Sequence, residues 1–388
     1  MFRQYRLKDY NFRLVLWLIV LSSLGVLLVG SAEPSLQTRQ LAGVIAGIII
    51  MLIVSVMDYS WIMNFYWVMY FGNLLMLAAV RLLNLGNNVN GATRWLTIAG
   101  IRFQPVELSK IILIIFFAKY FMEHENDLNS FTTVLRSLLL IALPLILILS
   151  QPDLKNTITV AVLFAVMYYI AGLSYKYIFG VLCIFVPVII IFMSIVVQPD
   201  QTLIKDYQRK RIMAFLNPDS KEYTDDTTQQ NNSVIAIGSG ELSGKGLNNN
   251  DASSANKGDF IAEIQTDFIF TVAGEELGFL GSAGIVILLL LISLECLLIS
   301  MRAKDLSGQI ICCGMATLIS VQSFINIGVA TRILPNTGTP LPFVSYGLTS
   351  LLTLFLGMGL VLNAGLQTKI RISPEMRRLQ RERGRVRL

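Results

Sequence analysis

Long apolar runs separated by short polar breaks dominate the chain, and the runs have membrane length. A helix needs about 20 mainly apolar residues to cross a bilayer. Such runs lie near 13–31, 39–57, 61–80, 103–122, 133–150, 156–172, 177–197, 277–299, 307–330 and 342–365. Together they predict an all-α polytopic membrane protein with ten transmembrane helices. The first run ends in Gly30-Ser31-Ala32, which resembles a signal cleavage site. Its apolar stretch is longer than a signal peptide's core, so it reads as an uncleaved anchor. The breaks place loops near 32–38, 83–102, Gln151-Pro152-Asp153, 198–266 and 331–341 on one side of the membrane. The large loop between the seventh and eighth spans is polar, and Asn248 through Asn256 reads as flexible linker. From Asp267 to Ile299 the apolar pattern is nearly continuous. As one helix it would be about 50 Å long against a hydrocarbon core of about 30 Å. A break near Gly274 or Gly278 would relieve this and leave Asp267 to Ala273 as a re-entrant or interfacial piece.

Composition agrees with the pattern. Hydrophobic residues make up 54% of 388 residues, charged residues 14%, and mean hydropathy is +0.63. Soluble domains carry about 25% charged residues, so a cytoplasmic globular enzyme, a nucleic-acid-binding domain and a disordered scaffold are excluded. Charge sets the orientation. Of 31 basic residues, 17 lie in the N-terminal segment, in the loops on its side and in the tail from Lys369 onward. The positive-inside rule then puts both termini in the cytoplasm. Residues 1–370 form one membrane domain and 371–388 a basic cytoplasmic tail, with no nucleic-acid partner expected. The four cysteines (Cys183, Cys296, Cys312, Cys313) all sit in apolar runs and the one histidine, His124, in a charged loop. Neither a disulfide framework nor histidine chemistry is expected. Methionines and aromatics read as packing and belt residues, with no organic cofactor implied.

The remaining chemistry rests on carboxylates, Lys and Arg, and these gather toward the outer side. Glu107 and Lys110 stand one helical turn apart near the outer start of the fourth span. Arg94 and Arg102 precede them, Asp153 sits in an outer turn, Asp267 lies where the large loop returns to the membrane, and Arg332 precedes the tenth span. Each has a plainer reading. Glu107–Lys110 could be a packing ion pair, Arg94 and Arg102 snorkelling anchors, and Asp153 and Asp267 helix caps. Glu275 and Glu276 are placed at the lipid–water boundary, and Glu295 lies deep in the eighth span without a role. Arginine forks suit phosphates, and a carboxylate beside them can act as a general base or hold a divalent cation. An amphiphilic substrate with its phosphate at headgroup depth fits this placement.

Longer motifs carry a resemblance. Gly91-Ala92-Thr93-Arg94-Trp95 with Gln104-Pro105-Val106-Glu107-Leu108-Ser109-Lys110, Gln151-Pro152-Asp153-Leu154, Ser233 through Gly240 with Gly244-Lys245-Gly246, Glu263 through Phe270 with Gly274-Glu275-Glu276-Leu277-Gly278, and Arg332 through Gly347 occur in order. Together they resemble the signatures of the SEDS family (shape, elongation, division and sporulation), whose members include RodA, FtsW and SpoVE. The resemblance implies a peptidoglycan glycosyltransferase that polymerises lipid II outside the cytoplasmic membrane with inversion. It implies an essential aspartate at Asp267 and a fourth-span ion pair at Glu107 and Lys110. Beside these, we expect substrate contacts from Arg94, Arg102, Asp153, Arg332 and Ser345. It further implies support from a divalent cation (Mg or Mn) at Asp267, a class B penicillin-binding protein transpeptidase as partner, and other elongation-complex membrane proteins. The short N-terminus and Ala236-Ile237-Gly238-Ser239-Gly240 lean toward a RodA-like elongation enzyme. An FtsW-like or SpoVE-like role, a precursor flippase or transporter, and a scaffold acting through its tail are the competing readings.

Overall fold

Helix starts in this chain are set by their first residues. In the computed structural model, which describes residues 10–82, 86–89, 92–98, 101–198, 206–216, 224–248 and 261–367, Asn11 caps α1 (Phe12–Ala32) by accepting the Leu14 N–H. Glu33 and Pro34 open α2 (Pro34–Val56), and Asp58 caps the short α3 (Tyr59–Met63) ahead of α4 (Tyr66–Leu82). Pro105 begins α5 (Pro105–Glu123), Ser130 caps α6 (Phe131–Ser150), and Asp153 caps α7 (Leu154–Ala171). After α8 (Tyr175–Val197), α9 (Asp206–Leu216), α10 (Thr224–Ser239) and α11 (Ile269–Arg302), Asp305 caps α12 (Leu306–Ala330), and α13 (Leu348–Leu366) follows. Side-chain oxygens at these caps take up N–H groups that no intrahelical carbonyl can reach.

Each of the ten expected windows falls on a helix, and among the described residues seven helices are long and apolar enough to cross a membrane: α1, α2, α6, α7, α11, α12 and α13. The apolar part of α4 is shorter, Tyr66–Val80. In α5 the sequence places Glu107, Lys110, Lys119 and Glu123 within 19 residues. The protein is a helical, multi-pass membrane protein. Burial separates its centre from its periphery. In the most apolar window of α13, 78% of residues are buried, and 67% in α12, against 28% in α6. α12 and α13 therefore form the middle of the bundle, with α5 packed on both, while the outward leucines of α6 face away from protein.

The structure departs from the sequence reading at two loops. Segment 83–102 contains a three-stranded antiparallel sheet, β1 (Gly86–Val89), β2 (Ala92–Ile98) and β3 (Ile101–Phe103). Val89 pairs with Ala92, and Asn90-Gly91 between them is the dipeptide favoured in two-residue hairpins. Loop 198–266 holds α9 and α10. α10 is fixed by polar side chains as well as by Ala236 and Ile237 against the core: Gln230 Nε2 donates to the carbonyls of Val329 and Leu334, and Ser233 Oγ donates to that of Ala330. Most of the stretch read as linker, and the basic tail, lie outside the described residues.

The over-long apolar run is broken at Gly278, one of the two expected positions, where φ is 66° and ψ −162°. The turn that follows α10 fills the break. Lys245 and Gly246 donate backbone N–H groups to the carbonyls of Glu275 and Glu276, and the N–H groups of Phe279 and Leu280 reach Glu241 and Leu242. The turn thus supplies the partners that the interrupted helix lacks. A side chain on Gly244 (φ 79°) would collide with the Glu276 carbonyl.

Candidate functional site

The half-helix before that break, residues 269–277, carries Asp267 two residues ahead of its start. Three bonds fix the backbone there. Tyr346 N donates to Gln265 O at 2.9 Å, Ser345 Oγ to Thr266 O at 2.6 Å, and Asn326 Nδ2 to Asp267 O at 2.9 Å. Asn326 also donates to Thr339 O at 2.7 Å, and Ser345 Oγ accepts the Leu341 N–H. The loop between α12 and α13 is therefore laced to the aspartate's own segment. Ser345, expected to meet substrate, is buried and acts in the structure as a clamp on that backbone.

The Asp267 side chain is half-buried and stands against Gly338 of that loop. Asp267 Oδ2 is 2.7 Å from the place a Cβ on Gly338 would occupy, and Lys155 Nζ is 3.7 Å from it. Lys155 Nζ donates to the Gly338 carbonyl. Gly338 has φ 70°, where side-chain-bearing residues are strained, so the glycine serves both the turn and the close approach of the carboxylate. The sequence reading did not place Lys155 in the site. One signal for it existed: Lys155 is in the first turn of α7, where a cation opposes the helix dipole. Asn326 was missed as well, though a buried amide in an apolar helix is itself a pointer to polar function or packing.

Behind this pair lies a sealed polar relay. Lys110 Nζ contacts Glu107 Oε1 at 2.7 Å and Asn156 Oδ1 at 3.3 Å. Asn156 Nδ2 donates to Asp153 Oδ2 at 2.8 Å, and Asp153 Oδ1 accepts the Asn156 N–H that caps α7. Glu107, Lys110, Asp153 and Asn156 are 0–3% exposed. Burying this pair is tolerable because both charges are matched and hydrogen-bonded. The relay holds the first turn of α7, which includes Lys155, against α5. Asp153 is a cap in this structure, which was its plainer reading.

Other expected residues are placed differently. Arg332 leaves α12 with φ 59° and its Nη1 donates to Asn231 Oδ1 on α10 at 2.6 Å. Arg94 lies in β2 and Arg102 in β3, opposite Thr97, with both side chains outside the described residues. Glu275 and Glu276, expected at the lipid–water boundary, are enclosed by protein. Both are 1% exposed. Lys245 pairs with Glu275 at 2.8 Å, and Ser31 Oγ donates to Glu276 Oε1 at 2.5 Å. The turn that fills the helix break shields them. Glu295 gains a role at the opposite end of the bundle, accepting from Asn11 and pairing with Arg13, each at 2.9 Å.

Among the described residues no three His, Cys, Asp or Glu side chains gather as a metal site. Asp267 offers one carboxylate with an ammonium beside it. Magnesium-type ions are commonly held by one or two carboxylates and substrate phosphates, so an ion at Asp267 would draw further ligands from a substrate diphosphate.

Comparison with known proteins shows what the whole chain is similar to. The family described as "Cell cycle protein" (FtsW/RodA/SpoVE) matches residues 11–370. The Geobacter sulfurreducens protein named "Probable peptidoglycan glycosyltransferase FtsW" is 31% identical over 375 residues, covering 94% of this chain and 97% of its own. The Escherichia coli K12 peptidoglycan glycosyltransferase MrdB is 32% identical over 354 residues, 90% and 91% of the two chains. Among solved structures, one chain from a study of how a peptidoglycan synthase complex coordinates polymerization and crosslinking superposes with TM-score 0.74 at 26% identity, covering 92% of this chain and 97% of its own. The Thermus thermophilus rod shape determining protein RodA shares the fold, with TM-score 0.67 at 24% identity over 93% and 98% of the chains. With a family match over nearly its whole length and relatives above 30% identity, the chain belongs to the FtsW/RodA/SpoVE family of cell cycle proteins.

Proposed function

We propose that this protein is a peptidoglycan glycosyltransferase that polymerises lipid II at the outer face of the cytoplasmic membrane, with Asp267 as its general base. One observation carries the assignment. Asp267 is a half-buried carboxylate on a clamped backbone, while Glu107, Asp153, Glu275 and Glu276 around the same end of the bundle are 0–3% exposed. In the inverting transfer, an acceptor sugar hydroxyl attacks the anomeric carbon of the donor. A new C–O bond forms, the bond to the diphosphate breaks with its electron pair, and the hydroxyl proton passes to Asp267. Glu107 and Lys110 act through Asn156 and Asp153 as positioning residues. Asp267 and the diphosphate are the groups that would hold a divalent cation, which would neutralise charge on the leaving group.

In this reading α1, α2, α4–α8 and α11–α13 make ten spans, both termini are cytoplasmic, and the Asp267 end faces outward. The partner is a class B penicillin-binding protein transpeptidase, and the role is RodA-like, in elongation. The names FtsW and MrdB both occur among relatives of similar identity, so the lean to elongation rests on residues 236–240. Depletion in the native host is expected to give rounded cells, and filaments would assign division instead.

A gel assay of purified protein on labelled lipid II tests the chemistry. Asp267→Ala is expected to bind its transpeptidase, melt within a few degrees of wild type, and form no glycan chains. Polymerisation by the well-folded variant would remove Asp267 from the mechanism.

A further inference from the structure

We infer that Lys155 is a substrate-binding residue of this site, its ammonium meeting the diphosphate of the lipid-linked sugar beside Asp267. The inference rests on the glycosyltransferase reading and extends it to a group that the family motifs do not single out. A carboxylate acting as base next to a diphosphate faces like charge at close range. Unscreened, such repulsion is large in a half-buried site. A cation between them removes it. Lys155 is placed for this: its Nζ and Asp267 Oδ2 both lie within 4 Å of the one place that a Cβ on Gly338 would occupy.

Two further observations favour a ligand role over a structural one. In the first turn of α7 a lysine is electrostatically disfavoured by the helix dipole, and the cap itself is supplied by Asp153. The other described cations at this end are committed: Lys110 to Glu107 and Asn156 at 1% exposure, Lys245 to Glu275, and Arg332 to Asn231. Lys155 is half-buried, and an ammonium has three N–H donors, one of which goes to Gly338 O. Oxygens of a diphosphate arriving at Asp267 come within reach of the same group.

The test uses full-length purified protein in detergent with two readouts: lipid II polymerisation kinetics, and direct binding of undecaprenyl pyrophosphate. Lys155→Met and Lys155→Gln are both measured, with Lys155→Arg as the charge-conserving control and melting temperature as the check on folding. Loss of a charge-assisted bond to phosphate is expected to weaken undecaprenyl pyrophosphate binding and raise the lipid II KM by about tenfold or more. Lys155→Arg is expected to restore both to within about threefold, since a guanidinium also pairs with phosphate. Unchanged binding and KM with a lower kcat in the folded variants would show that Lys155 only braces the Gly338 turn, and would overturn the inference. A wild-type protein that binds undecaprenyl pyrophosphate but makes no glycan would instead refute the glycosyltransferase reading. In that case the binding comparison still decides the role of Lys155.

Discussion

Gly338 shows how tightly one residue can fit against a carboxylate. Its positive φ and the 2.7 Å approach of Asp267 Oδ2 to its missing side chain leave no room for a methyl group. Gly338→Ala must either push the carboxylate aside or move the turn that Lys155 holds. Displacements of about 1 Å at a reacting centre can cost about 100-fold in rate. Polymerisation by Gly338→Ala is therefore expected to fall at least tenfold on that scale, with little change in melting temperature, because the turn lies at the end of the bundle. Equal activity in the lipid II assay would show that Asp267 tolerates displacement. At this scale the sequence was informative about identity and poor about company. Asp267, Glu107 and Lys110 stood out as charges in apolar surroundings. Lys155 and Asn326 did not, because their significance lies in contacts with residues more than 50 positions away.

The broken helix α11 is the element that positions Asp267. The half-helix of residues 269–277 is too short to be stable alone, and it is kept in place by the turn after α10. Gly244→Ala drives a methyl into the Glu276 carbonyl at a positive φ, and Lys245→Ala leaves Glu275 buried without its ion pair. Removing one partner of a buried pair costs about 3–5 kcal/mol. The 26% exposure of the Lys245 side chain lowers that figure toward the surface value of about 1 kcal/mol. Gly244→Ala is expected to lower the melting temperature and polymerisation together. Lys245→Ala should do so more mildly. If Gly244→Ala retained full activity with a lowered melting temperature, the turn would be a stability element only. The break itself was legible, since an apolar run of this length exceeds the bilayer and glycine is the natural breaker. Its completion by residues 240–246 was not, because a polar loop carries no mark of which distant backbone groups it will pair with.

Across the whole molecule, polar contacts sort to the two ends. Asp267, Lys155, Gly338 and the Ser31–Glu276 bond lie at one end. At the other, Tyr59 donates to Asp305, Gln367 to Asp58, and Glu295 holds Asn11 and Arg13. The proposed orientation puts the first end outside. Single cysteines at exposed Leu247 and Arg302, in a background with Cys183 replaced by serine, test this with a membrane-impermeant maleimide on intact spheroplasts. Leu247→Cys is expected to label and Arg302→Cys to stay protected until the membrane is opened. The reverse pattern would invert the topology and place the site in the cytoplasm.

Period and length in the sequence determined that this is a helical membrane protein, where its long apolar helices run, and that one of them must break. Those properties are local: apolar run length, cap residues and glycine act within a few positions. The sequence also determined which rare charges are expensive to hold in an apolar chain, and hence which deserve a function. Tertiary structure alone decided which of those charges are sealed and which are reachable. Glu107, Lys110 and Asp153 became an internal relay, Arg332 a tie to α10, and Asp267 the half-buried carboxylate with Lys155 beside it. The physical reason is that burial and charge pairing depend on contacts between helices distant in the chain, and neither hydropathy nor spacing encodes those contacts.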